Sequence, residues 1–171
     1  MKKFLFFLLI LPLIGCNTIQ KKDKNLVDFD CPRVFFSSED NIYTYSEQED
    51  ITMDNLSFKA ELNNFALNSR CIQSNNIAII PVDILIVVKP HQNLTISEVD
   101  IPIYLSLLDI NNNVLETQYF NIPVFISKNE KQEQFFKSDI KNTVMVVTQK
   151  YNVKQIVIGF MLDSKKREFL D

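Results

Sequence analysis

The sequence predicts an all-β protein, a two-layer antiparallel β-sandwich, and three observations carry that prediction. Its long apolar stretches are dominated by Ile and Val and repeat with a period of two, whereas a helix favours straight-chain residues at three-to-four spacing. Clusters of Asn and Ser separate these stretches at turn-like intervals. The strand–helix alternation that a doubly wound fold requires is absent. A small closed barrel is the structural alternative. Setting aside the first 15 of the 171 residues, which read as a targeting segment, leaves 156, enough for one sizeable core and too few for two.

In chain order, residues 20–30 are polar and suit a spacer, and Arg33 to Phe36 reads as a first strand. Residues 37–54 are acidic and interrupted and read as a long excursion, with Ile42, Tyr43 and Tyr45 its only contacts. Phe58, Ala60 and Leu62 then alternate with Lys59 and Glu61, the signature of a half-buried strand. Asn63-Asn64 predicts a bulge before Cys71, and Ser74-Asn75-Asn76 a turn. Ala78, Ile80, Val82, Ile84, Ile86 and Val88 form one wholly apolar face, and the alternate residues form another broken only by Asp83. A strand apolar on both sides belongs in the middle of a sheet, although Pro81 cannot donate to a ladder and predicts an irregularity.

Residues 101–110 and 114–126 form a hairpin around Asn111-Asn112-Asn113, because asparagine tolerates left-handed backbone angles. Phe120, Ile122, Val124 and Ile126 give its inward face. Pro102 and Pro123 predict that parts of both strands lie on an edge. Phe135-Phe136 and residues 143–147 suggest a further strand, with room for one helical turn in residues 132–141. Residues 153–162 give the last strand, with Ile156, Ile158, Phe160 and Leu162 on one side.

The composition, 46% hydrophobic and 23% charged, is that of a folded globular chain. With 2 glycines and 6 prolines it is neither collagen-like nor a flexible linker, and its 1 histidine excludes any multi-histidine metal site.

The N-terminus has the form of an export signal. Lys2 and Lys3 precede an apolar run at residues 4–11, too short to cross about 30 Å of hydrocarbon comfortably. A permanent membrane anchor is the alternative. Leu13-Ile14-Gly15-Cys16 resembles the bacterial lipobox. That resemblance implies diacylglyceryl transfer to the Cys16 thiol, cleavage after Gly15, and acylation of the new amino group. Multiple acyl chains, at about 0.8 kcal/mol per buried methylene, hold a protein persistently where one does not. The expected organisation is a lipoprotein signal peptide at 1–15, a lipidated flexible tether at 16–30 and a β-sandwich domain at 31–171. Asn17, in place of an aspartate that resembles an inner-membrane retention signal, points to the outer membrane, facing the periplasm.

Loss of Lys2 and Lys3 leaves 16 basic against 21 acidic side chains, a difference of −5. The basic clusters Lys21-Lys22 with Lys24 and Lys165-Lys166-Arg167 lack interleaved aromatics, so no nucleic-acid partner is expected. With Cys16 assigned to lipid, Cys31 and Cys71 remain as an even pair in an oxidising compartment. A disulfide between them would close a loop worth about 4 kcal/mol on the chain-entropy model. Two buried free thiols, or a redox or metal pair, are the alternatives.

The lipobox at Cys16, Cys31-Pro32-Arg33-Val34, Cys71 before a polar turn and a long apolar strand, residues 103–108 leading into Asn111–Asn113, and Tyr151 ahead of Ile158-Gly159-Phe160-Met161-Leu162 occur together. This order resembles a family of small, uncharacterised (alpha)proteobacterial lipoproteins. The resemblance implies an immunoglobulin-like or fibronectin-type sandwich with the two cysteines paired, and brings no activity with it. Tyr151 takes the place of a corner tyrosine in such domains, with ordinary packing the alternative.

Candidates for chemistry are few. His91 follows Pro90 in a polar turn and reads as a surface histidine, and 2 glycines, Gly15 and Gly159, allow neither a GxSxG elbow nor a phosphate cradle. Asp83 reads as a solvent-facing or ion-paired carboxylate, with Arg33 or Arg70 as candidate partners. Glu47-Gln48-Glu49-Asp50 lacks the spacing of a calcium loop and reads as a solvated acidic loop. Asn55-Leu56-Ser57 and Asn93-Leu94-Thr95 match a glycosylation sequon and read as turn and strand residues. Catalytic residues, metal ligands and cofactors are not expected. The functional expectation is a non-enzymatic envelope lipoprotein, a structural or assembly component acting through contacts with an envelope protein partner. The alternative is a module that binds a small ligand, a glycan or a lipid; an enzyme using only carboxylates ranks third.

Overall fold

The computed structural model describes residues 27–67, 69–91, 93–126, 128–129, 134–150 and 152–170. Its strands are β1 (Val27–Phe29), β2 (Arg33–Phe36), β3 (Ile42–Tyr45), β4 (Phe58–Ala66), β5 (Cys71–Ser74), β6 (Ile77–Pro90), β7 (Glu98–Leu108), β8 (Val114–Phe125), β9 (Lys128–Asn129), β10 (Gln134–Phe135), β11 (Ser138–Thr148) and β12 (Gln155–Phe160). The helix α1 spans Ser164–Leu170. One sheet runs β1-β5-β6-β4-β3 with β11 also on β6, a second runs β2-β12-β7-β8, and β9 and β10 form a small hairpin. The protein is thus predominantly β, with two sheets packed face to face.

β6 organises the first sheet, as its two apolar faces predict. Its Asp83–Pro90 half pairs with β4, its start at Ile77–Ile79 with β5, and its other side with β11. β4 and β5 therefore follow one another along the same side of β6 with a gap between Ala66 and Cys71. The Val147 carbonyl accepts Gln118 Nε2 from β8, so the odd-numbered groups of β11 point away from β6. By the alternation of antiparallel ladders, the odd-numbered groups of β6 point toward β4 and β5. Pro81 thus turns its missing donor into the gap, and its pairing with Met145 of β11 continues unbroken. The bulge falls between Leu62 and Asn64, where the Asn pair predicts it.

Even-numbered residues of β6 face the second sheet: Ile80, Val82, Ile84, Ile86 and Val88 have no solvent exposure. They meet Ile101, Ile103, Leu105 and Leu107 of β7 and Ile156, Ile158 and Phe160 of β12, all fully buried. Each such side chain stabilises the fold by about 2 kcal/mol relative to exposure. Both asparagine turns form as the residue type dictates, with φ of 46° at Asn75, 69° at Asn76 and 63° at Asn112.

Several expectations need correction. β2 pairs with β12 in parallel, so the sandwich is not wholly antiparallel. β1 lies inside the stretch 16–30 read as tether, because Val27–Phe29 pairs with Cys71–Gln73. The excursion at 37–54 contains β3, since Ile42–Tyr45 pairs with β4. Ser138 to Lys141 lie in β11, not in a helical turn, and the helix of the described residues is α1. Pro102 sits where the pairing with β12 ends: β12 pairs with β7 from Ile103 to Leu108, and the Glu98–Pro102 part of β7 pairs with β8 alone, so this part is an edge as the proline predicts. The Pro102 carbonyl accepts from Met161, one residue beyond the end of β12, and the return bond that its nitrogen cannot donate falls at the end of that ladder.

Candidate functional site

Cys16, the lipidation residue of the sequence reading, lies outside the described residues, and so does Tyr151. Cys31 and Cys71 form a disulfide, with Cα atoms 5.4 Å apart across a separation of 40 residues. The chain leaves the first sheet after Phe29 and joins the second at Arg33, and the disulfide ties this crossing to the first residue of β5. Cys71 is 1% exposed, so the bridge is part of the core.

A buried carboxylate organises one end of the sandwich. Asp40, in the loop between β2 and β3, is 7% exposed. Its backbone N–H donates to Ser37 Oγ and its carbonyl accepts from Phe160 N–H. Tyr104 Oη donates to its Oδ2 at 2.7 Å, and Arg167 Nη1 lies 2.8 Å from Oδ1 as an ion pair. Burial raises Tyr104 above the ordinary tyrosine range, and the Asp40 carboxylate adds to the rise against an opposing bond with Ser37. Tyr104 therefore remains a protonated donor at neutral pH, and the cluster is a clamp in which Oδ2 accepts from Tyr104 while Oδ1 faces Arg167 as an ion pair without a hydrogen bond.

That clamp holds α1, which buries none of its residues. Asp163 caps the helix: its Oδ1 accepts Lys166 N–H at 2.9 Å and its Oδ2 accepts Lys166 Nζ. These bonds hold its carboxyl below the usual carboxylate range. Lys165 pairs with Asp50 at 3.1 Å and Glu49 at 3.8 Å, and Lys166 Nζ stands 5.4 Å from the centre of the Tyr43 ring. Burial pushes the Tyr43 hydroxyl up to about 12, with Asp163 and Tyr45 adding smaller contributions. All three residues of the basic cluster thus face groups of their own chain.

The acidic loop is also engaged. Glu47 accepts from Thr95, Gln48 from Asn55, and Glu49 and Asp50 face Lys165. Both sequon asparagines are loop clasps: Asn55 bonds the backbone of Asp50 and Thr52, and Asn93 bonds the Asp54 carbonyl. His91 is exposed and closes its turn through backbone bonds to Ser57 and Leu94. Asp83 is paired across β11, with Lys141 at 3.2 Å and Thr143 Oγ1 at 2.6 Å. Its partner is therefore neither Arg33 nor Arg70, and Arg70 pairs instead with Asp28. Among the described residues no group of three or more His, Cys, Asp or Glu could hold a metal ion. Among them, too, no helix is long and apolar enough to cross a membrane.

One feature open to a partner is the outer edge of β8. Ile126 N–H donates to the Ser97 carbonyl, so even-numbered groups of β8 face β7 and odd-numbered groups face outward. Among the described residues no strand pairs with that side. The outward backbone groups belong to Thr117, Tyr119, Asn121, Pro123 and Phe125, and Pro123 subtracts one donor, as an edge proline should. Residues 117–126 carry no charged side chain. Tyr119 and Phe125 are 64% and 60% exposed. The start of the edge is clasped, by Gln118 Nε2 to the Val147 carbonyl and Thr148 Oγ1 to Glu116 Oε2. The proline in β8 is the sequence signal for this edge; its pairing state is not written in the strand itself. No known protein family, curated protein or solved structure matches this chain.

Proposed function

We propose that this chain is a lipid-anchored component of a bacterial cell envelope, of the small proteobacterial lipoprotein type it resembles. Its sandwich domain serves a structural or assembly role by contacting an envelope protein. The observation that carries the reading is the β8 edge: ten consecutive uncharged residues, five of which turn their backbone groups outward toward an added strand. Soluble proteins blunt such edges with lysine, and here a single proline blunts only the far half. The lipobox-like sequence ending at Cys16 supports an envelope location, and the Cys31–Cys71 disulfide suits the oxidising compartment outside the inner membrane.

The domain is immunoglobulin-like in this reading. The β7–β8 hairpin belongs to the second sheet, β11 returns to pair with β6 in the first, and β12 crosses back to pair with β7. Paired strands crossing between sheets in this way form the common core of immunoglobulin-like sandwiches. The place that a last antiparallel strand takes in that fold is filled here by the parallel β2.

The test is a photo-crosslinker at Tyr119 in the native envelope, with mass spectrometry of the captured product and of the mature N-terminus. One stoichiometric protein partner and a diacylglyceryl mass on Cys16 support the reading. An unmodified Cys16 thiol, or a monomer that captures nothing, overturns it.

A further inference from the structure

We propose that the end of the sandwich nearest the tether is a second membrane contact, resting in the interface of an anionic phospholipid bilayer with Ile110 and Val114 at the point of entry. The inference rests on the lipid-anchor reading and adds an orientation to it. Cα pairing sets Val27, Gln73, Ala78 and Thr148 in one row across the first sheet. Arg33, Gln155, Leu108 and Val114 form the matching row across the second. The bonds of Glu116 and Gln118 to Thr148 and Val147 put both rows at the same end.

Apolar side chains are left in water there. Ile110 is 75% exposed, Val114 62% and Val27 61%, and Val147 stands half-exposed beside them. Cations accompany them: Arg33 and Lys154 share an open groove of about 340 Å³ with Ile110, and Lys150 lines another with Ile77 and Val147. Among the carboxylates of this end, Asp109 is taken up by Asn111 and Asn113, Asp28 by Arg70, and Glu116, which lines the Lys150 groove, by Thr148 and Gln118. Asp30 lines the Arg33 groove, and Arg33 and Lys154 outnumber it there. Apolar tips ringed by lysine and arginine suit an anionic interface, where each cation near the surface strengthens binding about fivefold.

The length of chain upstream fixes the occupant. Val27, the first residue of β1, follows Cys16 by eleven positions, a reach of at most about 40 Å. That interval carries Lys21, Lys22 and Lys24 against Asp23. An acylated Cys16 holds this end, where β1 begins, near the bilayer at high effective concentration. The Asp40 clamp, α1 and the β3–β4 loop then point away from the membrane, toward a partner.

The chain has no tryptophan, so a single introduced indole reports depth. Full-length lipidated protein carrying Ile110→Trp, and separately Val114→Trp in case the first variant misfolds, is reconstituted in phosphatidylglycerol–phosphatidylethanolamine vesicles with brominated acyl chains. Met53→Trp, in the exposed loop at the opposite end, is the reference. The expected result is quenching at 110 or 114 about twofold or more above that at 53, weaker in phosphatidylcholine vesicles. Equal quenching at both ends, or none at either, with the acyl mass present on Cys16, overturns the inference and leaves the lipid-anchor reading standing. Absence of the acyl mass overturns both.

Discussion

Tyr104 lies across Gly159. The two are Cα partners on β7 and β12, and a Cβ placed on Gly159 would stand 2.5 Å from both Cζ and Oη of Tyr104. The bare strand at this point lets the ring cross β12 and reach Asp40, which in turn holds Arg167 of α1. One missing side chain thus connects the second sheet to the C-terminal helix.

Gly159→Ala should therefore cost about 1–3 kcal/mol, because the ring must move and the Asp40 bond with it. Tyr104→Phe, which keeps the ring and removes the donor, should cost about 1–2 kcal/mol. Denaturant unfolding measures both. Equal stability of Gly159→Ala and the parent would show that the ring has another place to go.

Much of this architecture is legible in the chain, and the illegible parts share a cause. β6 announces itself because both of its faces are apolar over twelve residues, and the asparagine turns because few residues tolerate positive φ. β3 is hidden: four residues, two of them tyrosines, sit among acids and show no alternation. The parallel placement of β2 depends on β12, over a hundred residues away, and no local pattern encodes it. Asp83 reads correctly as a carboxylate in need of company, yet its partners Lys141 and Thr143 arrive with β11. Asp40 looks like one acid among many in an acidic stretch, and only the fold brings Tyr104 and Arg167 to it.

Thr44 offers a stabilising change. It is 1% exposed on β3, and its hydroxyl has no hydrogen-bond partner among the described residues. Thr44→Val keeps the β-branched shape and removes the unsatisfied group, so it should raise stability by about 1 kcal/mol, seen as a higher denaturant midpoint at unchanged slope.

The hold on α1 should depend on pH at both extremes. Asp163 has a depressed folded pKa, so its contribution is present above the ordinary carboxylate value and is lost as pH falls through the folded one. Tyr43 behaves oppositely: its pKa is raised from 10.0 to about 12, so its contribution is complete below 10.0 and lost as pH climbs toward 12. Tyrosinate absorbance should show a step near pH 12 that Tyr43→Phe removes. Asp163→Ala should cost the helix about 1 kcal/mol through the lost cap, read as faster amide exchange confined to α1.

Reduction of the disulfide tests how the N-terminal strands are held. Cys31 and Cys71 fasten the crossing between sheets, and β1 and β2 contribute only three and four residues of pairing. Cys31→Ala with Cys71→Ala should lower stability by about 2–4 kcal/mol. Protease cleavage should then concentrate near residues 27–36, whereas cleavage spread over the whole chain would mean that the bridge supports the core at large.

The β8 edge can be closed without touching the core. Asn121 is exposed and its backbone faces outward, so Asn121→Lys adds a charge where an incoming strand would lie. Stability should change by no more than about 0.5 kcal/mol, as for an isolated surface substitution. Capture of the partner through a crosslinker at Tyr119 should fall sharply in the same variant. Lys59→Glu, on β4 in the other sheet, should leave capture unchanged. If both substitutions reduced capture alike, the loss would report a general charge effect, and the contact would have to be sought elsewhere than along β8.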